Sequence, residues 1–396
     1  MELAIWLLAL IASGLLAVPT FMYAAECLLG SLPGAVSPTS KHAPRLPLVV
    51  LVPAHDEEQG IAAALQNIVA QLRSGDRLLV VADNCSDQTA MVARAAGAEV
   101  IERHDPSKRG KGYALDFGLA HLAREPRPVV VIVDADCRLL PGALDALSRA
   151  VSATGRPAQS SYLMVAGSNP ARRPAVAEFA FLVKNLVRPR GLARAGFPCQ
   201  MTGSGMAIPW AAIGSIELAH GHLVEDMKLG LDLAGAGYPP LFCEEAGVRS
   251  DFPETVEGRD SQRRRWEHGH LGMLAASFKR LLSRRTLGDP NRLAMTLDVL
   301  VPPLTLLAAA VAAVIAVGAV VAGLGFGLAP LSVAAASGIL LLIGTGAAWV
   351  AHGRQVMPAR SLLKIPGYML GKVWIYPRAL IGRSEQNWIR TDRTRS

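Results

Sequence analysis

Two signatures of nucleotide-binding proteins are missing from this chain of 396 residues. No apolar run is followed by G-x-G-x-x-G, which counts against a dinucleotide-binding oxidoreductase. The glycine-punctuated stretch SKRGKGYALDFGL, residues 107–119, lacks the G-x-x-x-x-G-K-[ST] spacing, so it is no P-loop. Its basic residues could still meet phosphates where the stretch enters a helix.

Cysteine is scarce. The chain has five cysteines, an odd number, and their spacing matches no metal-ligand pattern. We therefore interpret them as reduced thiols in a cytosolic setting.

Charge is absent from three apolar runs, residues 3–25, 299–322 and 331–351. Each is long enough to cross a hydrocarbon core of about 30 Å as a helix. A signal peptide is the alternative for the first run, but its length and the start MELAIW, with Glu2 and no Lys or Arg, favour a retained anchor. Charges occur throughout residues 46–292, which predicts a globular domain anchored in a membrane.

Positive charge is distributed unevenly about these runs. The link between the second and third runs, GLGFGLAP, has no charge. The tail after the third run holds nine basic residues against Glu385 and Asp392, a charge of +7 in a chain whose net charge is +8. The positive-inside rule therefore places the globular domain and the tail in the cytoplasm. Within the tail, a span through Lys372 would cost about 2.5–3.5 kcal/mol, so residues 361–382 are expected to lie on the membrane surface.

Apolar runs alternate with helical patterns in the first part of the globular domain. Continuous runs of this kind are typical of a parallel sheet that is covered by helices on both faces. Ligands of such sheets bind beyond the carboxyl ends of the strands. The expected strands are LVVLV (48–52), RLLVVA (77–82), AEVIE (98–102) and PVVVIV (128–133), and the expected helices cover about 57–72, 87–96 and 112–123.

Acidic residues follow three of these runs. The first ends in PAHDEE, the second in ADNCSD and the fourth in DAD. Helix capping is a sufficient explanation for Asp87 or Glu58. It does not explain why three acidic strand ends meet at one edge of a sheet. Asp134 and Asp136, at i and i+2, suit a hard divalent cation and the phosphates that it carries, although a turn is the alternative for so short a motif.

Three further motifs follow in order, TGSGMA (202–207), HLVEDMKLG (222–230) and SQRRRWEHG (261–269), the last with the spacing Q-x-x-R-W. Together with the acidic strand ends they resemble the membrane-bound family 2 glycosyltransferases, the group of the cellulose, chitin and hyaluronan synthases and the ceramide glucosyltransferases. The resemblance covers about residues 46–278. Taken singly, the arginines at 263–265 would be a solvated face and Trp266 an interfacial anchor. No metal site is expected at the histidines of these motifs, and His268 and His270 are interpreted as interface residues.

The resemblance implies a GT-A fold, a mostly parallel sheet with flanking helices, and a nucleotide-diphosphate sugar donor, expected to be a UDP-sugar, with Mg²⁺ or Mn²⁺. It also implies roles for individual residues on the donor side. Asp56 and Asp83 would hold the uracil and ribose, Lys111 would lie near the diphosphate, Asp134 would contact the nucleotide, and Asp136 would coordinate the metal next to Asp134.

On the acceptor side the resemblance implies that Asp226 is the general base and that Glu225 orients the site. Gln262, Arg265 and Trp266 would close over the diphosphate and the acceptor. In place of the family's usual aromatic-Asn pair, this chain has His55 and Asp56.

The expected organisation is a transmembrane anchor (1–30), a linker (31–45), the GT-A domain (46–270), an amphipathic interfacial segment (271–292), two transmembrane helices (293–352) and a basic cytoplasmic tail with interfacial helices (353–396). The expected function is inverting transfer of a sugar to a lipid or lipid-linked glycan at the cytoplasmic membrane face, in cell-surface polysaccharide or glycolipid synthesis. The alternatives are a processive polysaccharide synthase, with partner subunits of an assembly system, and a nonenzymatic membrane scaffold. A nucleic-acid partner is not expected.

Overall fold

The computed structural model describes residues 2–36, 43–166, 174–219, 224–253, 255–365 and 367–368. In these residues the chain forms one sheet of eight strands. The strands are β1 Leu48–Ala54, β2 Arg77–Asp83, β3 Glu99–Arg103, β4 Val129–Ile132, β5 Arg138–Leu139, β6 Ala158–Val165, β7 Met206–Pro209 and β8 Leu241–Asp251.

Helices surround this sheet and extend from it at both ends of the described chain. The α-helices are α1 Glu2–Ser31, α2 Ile61–Val69, α3 Thr89–Ala95, α4 Lys111–Leu122, α5 Ala143–Thr154, α6 Ala175–Leu182, α7 Arg188–Arg194, α8 Trp210–Ile213, α9 Glu225–Gly235, α10 Val256–Leu281, α11 Arg284–Leu287, α12 Pro290–Val299, α13 Leu304–Gly323 and α14 Ala329–Ala348. Turns of π-helix lie at Val183–Val187 and Trp349–Gly353, and a 3₁₀-helix lies at Ala359–Lys364.

The strand order is β3-β2-β1-β4-β7-β6-β8-β5. The four strands expected from the sequence are confirmed, and β3, β2, β1 and β4 run parallel. The second half of the sheet is mixed, because β7 runs antiparallel to β4 and to β6, while β8 is parallel to β6 and antiparallel to β5. The antiparallel β7 brings the loop before it to the end of β4, where the Gly205 amide donates to the Ile132 carbonyl at 2.9 Å.

Alternate residues of β1 enter two separate apolar cores, one on each face of the sheet. Leu48, Val50 and Val52 pack in one core, and Val49 and Leu51 pack in the other. All five are fully buried. This two-sided burial explains why the strand is continuously apolar instead of alternating.

Three helices, Glu2–Ser31, Leu304–Gly323 and Ala329–Gly353, are long and apolar enough to cross a membrane. The second apolar run, residues 299–322, is divided between two helices. Val299 ends α12, and α13 begins only after Pro302 and Pro303, because proline supplies no backbone N–H to a continuing helix. The segment expected to be amphipathic from residue 271 is the second half of α10 together with α11. Most of residues 361–382, expected on the membrane surface, lies outside the described residues.

The first helix packs directly on α7. A Cβ on Gly30 would lie 1.9 Å from the Val187 carbonyl oxygen, and one on Gly191 would lie 2.0 Å from the Glu26 carbonyl oxygen. The two backbones therefore touch at glycines on both sides of the crossing.

Arginines of α7 also hold the carbonyl groups at the end of α1. Arg190 donates to the Gly30 oxygen at 3.0 Å, and Arg194 donates to the Leu32 oxygen at 3.0 Å and to the Pro33 oxygen at 2.9 Å. The Gly30 carbonyl is one that the helix end leaves without an intrahelical partner, and the Leu32 and Pro33 carbonyls belong to the residues just after the helix. The end of the first apolar helix is thus fixed to the domain that carries the sheet.

Candidate active site

One cavity of about 450 Å³ lies beyond the carboxyl ends of β1 and β4. Its wall is built by the β4–β5 turn, the start of α4, the start of α9, one side of α10 and the break before α13. The cavity brings together most of the residues that the sequence singled out. Of these, Lys111, Asp134, Asp136, Glu225, Asp226, Gln262, Arg265 and Trp266 line it.

Lys111 is the central cation of the upper, sheet-side part of the cavity. Its Nζ lies 2.5 Å from Asp134 Oδ1 and 3.9 Å from Glu225 Oε1, and it donates to the Gly203 carbonyl at 2.6 Å. Burial opposes the charge of Lys111, but the carboxylates of Asp134 and Glu225 hold its pKa above the ordinary value. Lys111 therefore stays protonated and can neutralise a buried anion.

Carboxylate oxygens are crowded at the end of β4. Ligand atoms of Asp134, Asp136 and Cys137 all lie within 4.8 Å of one another. Burial, together with the charge of Asp136, raises the pKa of Asp134 despite Lys111. Burial also raises the pKa of the Cys137 thiol, which donates to Asp136 Oδ1 at 3.4 Å and so supplies no thiolate. Two carboxylates without a thiolate fit Mg²⁺ or Mn²⁺, which prefer oxygen ligands.

Gly203 joins these groups to α9. Its φ of +92° is a conformation that glycine adopts without strain. A Cβ there would lie 3.4 Å from Asp226 Oδ2, 3.8 Å from Lys111 Nζ and 4.0 Å from Asp134 Oδ2. Asp226 therefore lies in the same charged cluster as Lys111 and Asp134.

Glu225 is the first residue of α9, next to Asp226. Burial raises the pKa of Glu225 to about 7, although the nearby Lys111 opposes the shift. At neutral pH Glu225 is therefore close to half protonated, unlike an ordinary surface carboxylate.

Asp56 and Asp83, at the ends of β1 and β2, lie beside the cavity and not in its wall. Asp56 has φ +54° and accepts from the Ser86 amide at 2.7 Å. The Asp83 side chain is fully buried, and its Oδ1 lies 2.6 Å from Arg103. Asp83 Oδ2 is buried with no hydrogen-bond partner among the described residues.

Glu58 and Asp87, which follow Asp56 and Asp83, form hydrogen bonds between the two loops. Asp87 Oδ2 accepts from the Glu58 amide at 3.1 Å, and Glu58 Oε2 accepts from the Gln88 amide at 3.0 Å. Both acids thus accept from backbone amides, but neither is the N-cap residue of the helix that follows it, which is Gly60 for α2 and Gln88 for α3.

The Q-x-x-R-W residues lie on the cavity side of α10. Gln262 is buried, and the Trp266 ring packs on the Phe181 ring with centroids 5.7 Å apart. One turn further, His270 Nε2 donates to the Val299 carbonyl at 3.0 Å, and burial lowers the pKa of His270 to about 3. His270 is therefore a neutral residue between α10 and the end of α12, as an interface residue would be. His220 and His222 lie outside the described residues.

The lower, membrane-side part of the cavity was not expected from the sequence. It is lined by Tyr23 of α1, by the π-helical turn before α7 and by residues 301–305 at the break before α13. The stretch VKNLVRPRGLAR, in which basic residues interrupt an apolar segment, was its only available signal.

A buried ion triad underlies this lower part. Arg188 Nε donates to Glu26 Oε2 at 2.6 Å, and Arg188 Nη2 pairs with Asp298 Oδ1. All three side chains are at least nine-tenths buried. The triad links α1, α7 and α12, so the wall of the cavity and the first apolar helix are held by the same charges.

A family model described as "Glycosyltransferase like family 2" matches residues 44–269, more than half of the chain. The chain belongs to this glycosyltransferase family. The matched residues contain the whole sheet and the Q-x-x-R-W motif.

Two known proteins are similar to this family 2 chain, one in sequence and one in structure. The 4,4'-diaponeurosporenoate glycosyltransferase of Staphylococcus aureus strain USA300 is 33% identical over 96 residues, 24% of each chain. The chain thus matches about a quarter of the length of this curated relative. The mannosyltransferase PcManGT of Pyrobaculum calidifontis, solved in complex with GDP-Man and Mn²⁺, is 20% identical, with a TM-score of 0.53 over 88% of this chain and 98% of that one. That likeness confirms the expected fold.

Proposed function

We propose that this protein transfers a sugar, with inversion, from a nucleotide-diphosphate sugar to a lipid or lipid-linked glycan at the cytoplasmic face of a membrane. The observation that carries the proposal is that the cavity described above contains two groups of residues. It is lined by the acidic cluster of Asp134, Asp136 and Asp226, and also by Tyr23 of α1 and by Leu304 at the start of α13. A donor bound at the sheet edge would meet an acceptor that enters from the apolar helices.

The donor end would use its carboxylates and cations in different ways. Asp136, with Asp134, would hold Mg²⁺ or Mn²⁺, which supplies Lewis-acid stabilisation of the leaving diphosphate. Lys111, and Arg265 on α10, would add positive charge near the same phosphates. A UDP-sugar is the expected donor, and GDP-sugars belong in the test because PcManGT was solved with GDP-Man.

The nucleoside would lie at the ends of β1 and β2. Asp83 is fully buried and pairs with Arg103, so it would hold this edge of the sheet in position and not contact the nucleoside itself. Asp56 is held at the surface of the same edge by Ser86. Gln262 and Trp266 would cover the donor from α10, as the order of motifs in the family implies.

Asp226 would be the general base. It follows Glu225 at the start of α9, and on a helix neighbouring side chains point about 100° apart, so one of the two faces the acceptor. The acceptor hydroxyl would lose its proton to Asp226 as its oxygen attacks the anomeric carbon. Glu225, which is near half protonation at pH 7, would orient Lys111 instead of receiving that proton.

Two further observations support a lipid acceptor and a cytoplasmic location of the domain. The S. aureus relative is a 4,4'-diaponeurosporenoate glycosyltransferase, which supports a lipid-like acceptor for this chain. The basic tail after the third apolar helix supports a cytoplasmic location of the domain.

The experiment is to reconstitute the full chain in lipid vesicles with Mn²⁺ and a panel of UDP- and GDP-sugars. Release of nucleoside diphosphate and the mass of the lipid products are measured together. Transfer predicts a nucleoside diphosphate and a lipid heavier by one sugar. A water-soluble polymer would indicate a processive synthase instead, pyrophosphate would indicate a nucleotidyltransferase, and no turnover of any donor would indicate a scaffold.

A further inference from the structure

A turn of π-helix, Val183–Val187, forms part of the lower wall of the cavity between α6 and α7. Both Lys184 and Asn185 line the cavity there. A π-helical turn holds an additional residue, and such turns are frequent at functional sites. The turn therefore presents two adjacent polar side chains to the cavity.

Neither of these side chains has a partner within the described parts of the chain. Lys184 forms no hydrogen bond or ion pair there, and it is exposed to the open volume of the cavity. Asn185 is 3% exposed, and its Oδ1 is buried without a hydrogen-bond partner. An unsatisfied buried amide costs about 1–3 kcal/mol, so a ligand that bonds to it would recover that free energy. Rotation of the amide by half a turn exchanges its oxygen and its NH₂ group, so either can meet a ligand.

The neighbouring cation, Arg188, differs from Lys184 because it has ion-pair partners. Arg188, one helical turn on, is bonded to both Glu26 and Asp298. Asp226 and Asp298 lie within electrostatic range of Lys184, but neither is its ion-pair partner. The charge of Lys184 is therefore the one at this end of the cavity that the described residues leave without a direct counter-ion.

The surroundings of this pair are apolar and lead to the membrane helices. Tyr23 of α1, Ala177 and Ala180 of α6, and Leu304 at the start of α13 line the same part of the cavity. Tyr23 and Leu304 belong to helices that are long and apolar enough to cross a membrane.

We propose that Lys184 and Asn185 bind the anionic head group of an amphiphilic acceptor, a phosphate or carboxylate joined to an apolar chain. The inference rests on the proposed function and names the chemistry of its acceptor. The ammonium of Lys184 and the amide of Asn185 both donate hydrogen bonds, and an oxyanion accepts several at once. A neutral alcohol would leave Lys184 without a counter-charge. Transfer still occurs to a hydroxyl next to Asp226.

The test measures binding of three radiolabelled amphiphiles with the same acyl chain to the full chain in detergent. The probes are 1-oleoyl lysophosphatidate, oleate and monoolein, which carry a phosphate, a carboxylate and no charge. We expect at least one anionic probe to bind about tenfold more tightly than monoolein. Lys184→Gln should abolish this preference, Lys184→Arg should keep it, and Asn185→Leu should reduce it. Lys279→Gln, which removes an exposed lysine from α10, is the matched control and should keep it.

The two anionic probes distinguish a phosphate from a carboxylate head group. Equal affinity for all three probes in the wild-type protein would overturn the inference, and so would an unchanged preference in folded Lys184→Gln and Asn185→Leu. Release of nucleoside diphosphate by the wild-type protein is measured in parallel. If release fails while the anionic preference holds, the proposed function is wrong and the binding site stands.

Discussion

The two ends of the cavity differ in how their charged side chains are arranged. At the sheet end, Asp134 and Asp136 crowd together within 4.8 Å, and burial raises the pKa of Asp134. At the membrane end, Glu26 and Asp298 share one arginine, Arg188, and the three charges are closed off from water. A cation site needs carboxylates that lie close together. A buried ion triad in which every charge has a partner instead stabilises the packing of helices. The difference separates residues expected to act on the donor from residues expected to hold the helices.

The largest effect should follow removal of a metal ligand at the sheet end. Asp136→Asn should abolish the metal dependence of nucleotide binding, because a carboxamide is a poorer ligand for Mg²⁺ or Mn²⁺ than a carboxylate. Chelation should likewise stop turnover of the wild-type protein. Affinity for UDP or GDP is measured with and without Mn²⁺. If the wild-type protein had the same affinity in both conditions, no metal ion would hold the nucleotide.

The second-largest effect should follow replacement of the proposed general base, Asp226. Asp226→Asn should lower kcat by about 10²–10⁴-fold while donor binding stays near the wild-type value. Glu225→Gln, the matched control on the same turn of α9, should be milder. The roles of the two acids would be reversed if Glu225→Gln silenced transfer and Asp226→Asn did not.

At the membrane end the expected loss is in stability. Arg188→Met should destabilise the fold by about 3–5 kcal/mol, because it leaves Glu26 and Asp298 as buried charges without a counter-ion. Arg73→Met is the control, since Arg73 pairs with Asp145 at the surface and such pairs contribute about 0–1 kcal/mol. Thermal unfolding of both variants is compared in detergent. Equal losses would show that the triad is no more important than a surface pair.

The glycine crossing of α1 and α7 should be less costly to disturb. Gly191→Ala should destabilise the protein by about 1–3 kcal/mol, because its Cβ would collide with the Glu26 carbonyl. Gly14→Ala, at a position of α1 with open space around it, should be neutral or slightly stabilising. The same unfolding assay checks both, and a tolerated Gly191→Ala would mean that α1 moves away from α7 without cost.

The smallest effect concerns pH. His270 is neutral when folded, with a pKa of about 3 against 6.5 for an unburied imidazole, so the unfolded chain binds the extra proton as pH falls below 6.5. Stability should therefore fall by up to about 2 kcal/mol between pH 6.5 and pH 5. His270→Gln should flatten this slope relative to wild type, and His104→Gln, at an exposed position, should not. Equal slopes in the two variants would count against a neutral, buried His270.

The sheet end was largely predictable from the sequence, and the membrane end was not. Continuous apolar runs predicted β1, β2 and β4, because a strand that is buried on both faces must be apolar throughout. The run AEVIE predicted β3, which is an edge strand and keeps Glu99 and Glu102 exposed. Acids placed directly after such runs must lie at one edge of the sheet, so the order of residues alone predicts that Asp134 and Asp136 lie together there.

The second half of the sheet and the lower wall depend on distant contacts. The antiparallel β7 has only four residues and no distinctive periodicity. Glu26, Arg188 and Asp298 are far apart in the chain, and each alone resembles an ordinary charged residue in or near an apolar stretch. Their pairing becomes visible only when α1, α7 and α12 are packed together.

The central claim is that one cavity joins the donor to an acceptor from the membrane, and a plug at its membrane end tests this most directly. Ala180 lines that end, so Ala180→Trp should fill it, while Ala276→Trp adds the same ring at an exposed position of α10. Lipid glycosylation in vesicles and nucleotide-sugar binding are measured on the same preparations. We predict that Ala180→Trp lowers lipid glycosylation at least about tenfold with donor binding unchanged, and that Ala276→Trp alters neither. Full lipid glycosylation by folded Ala180→Trp would contradict the claim, because the acceptor would then reach the acids by another path.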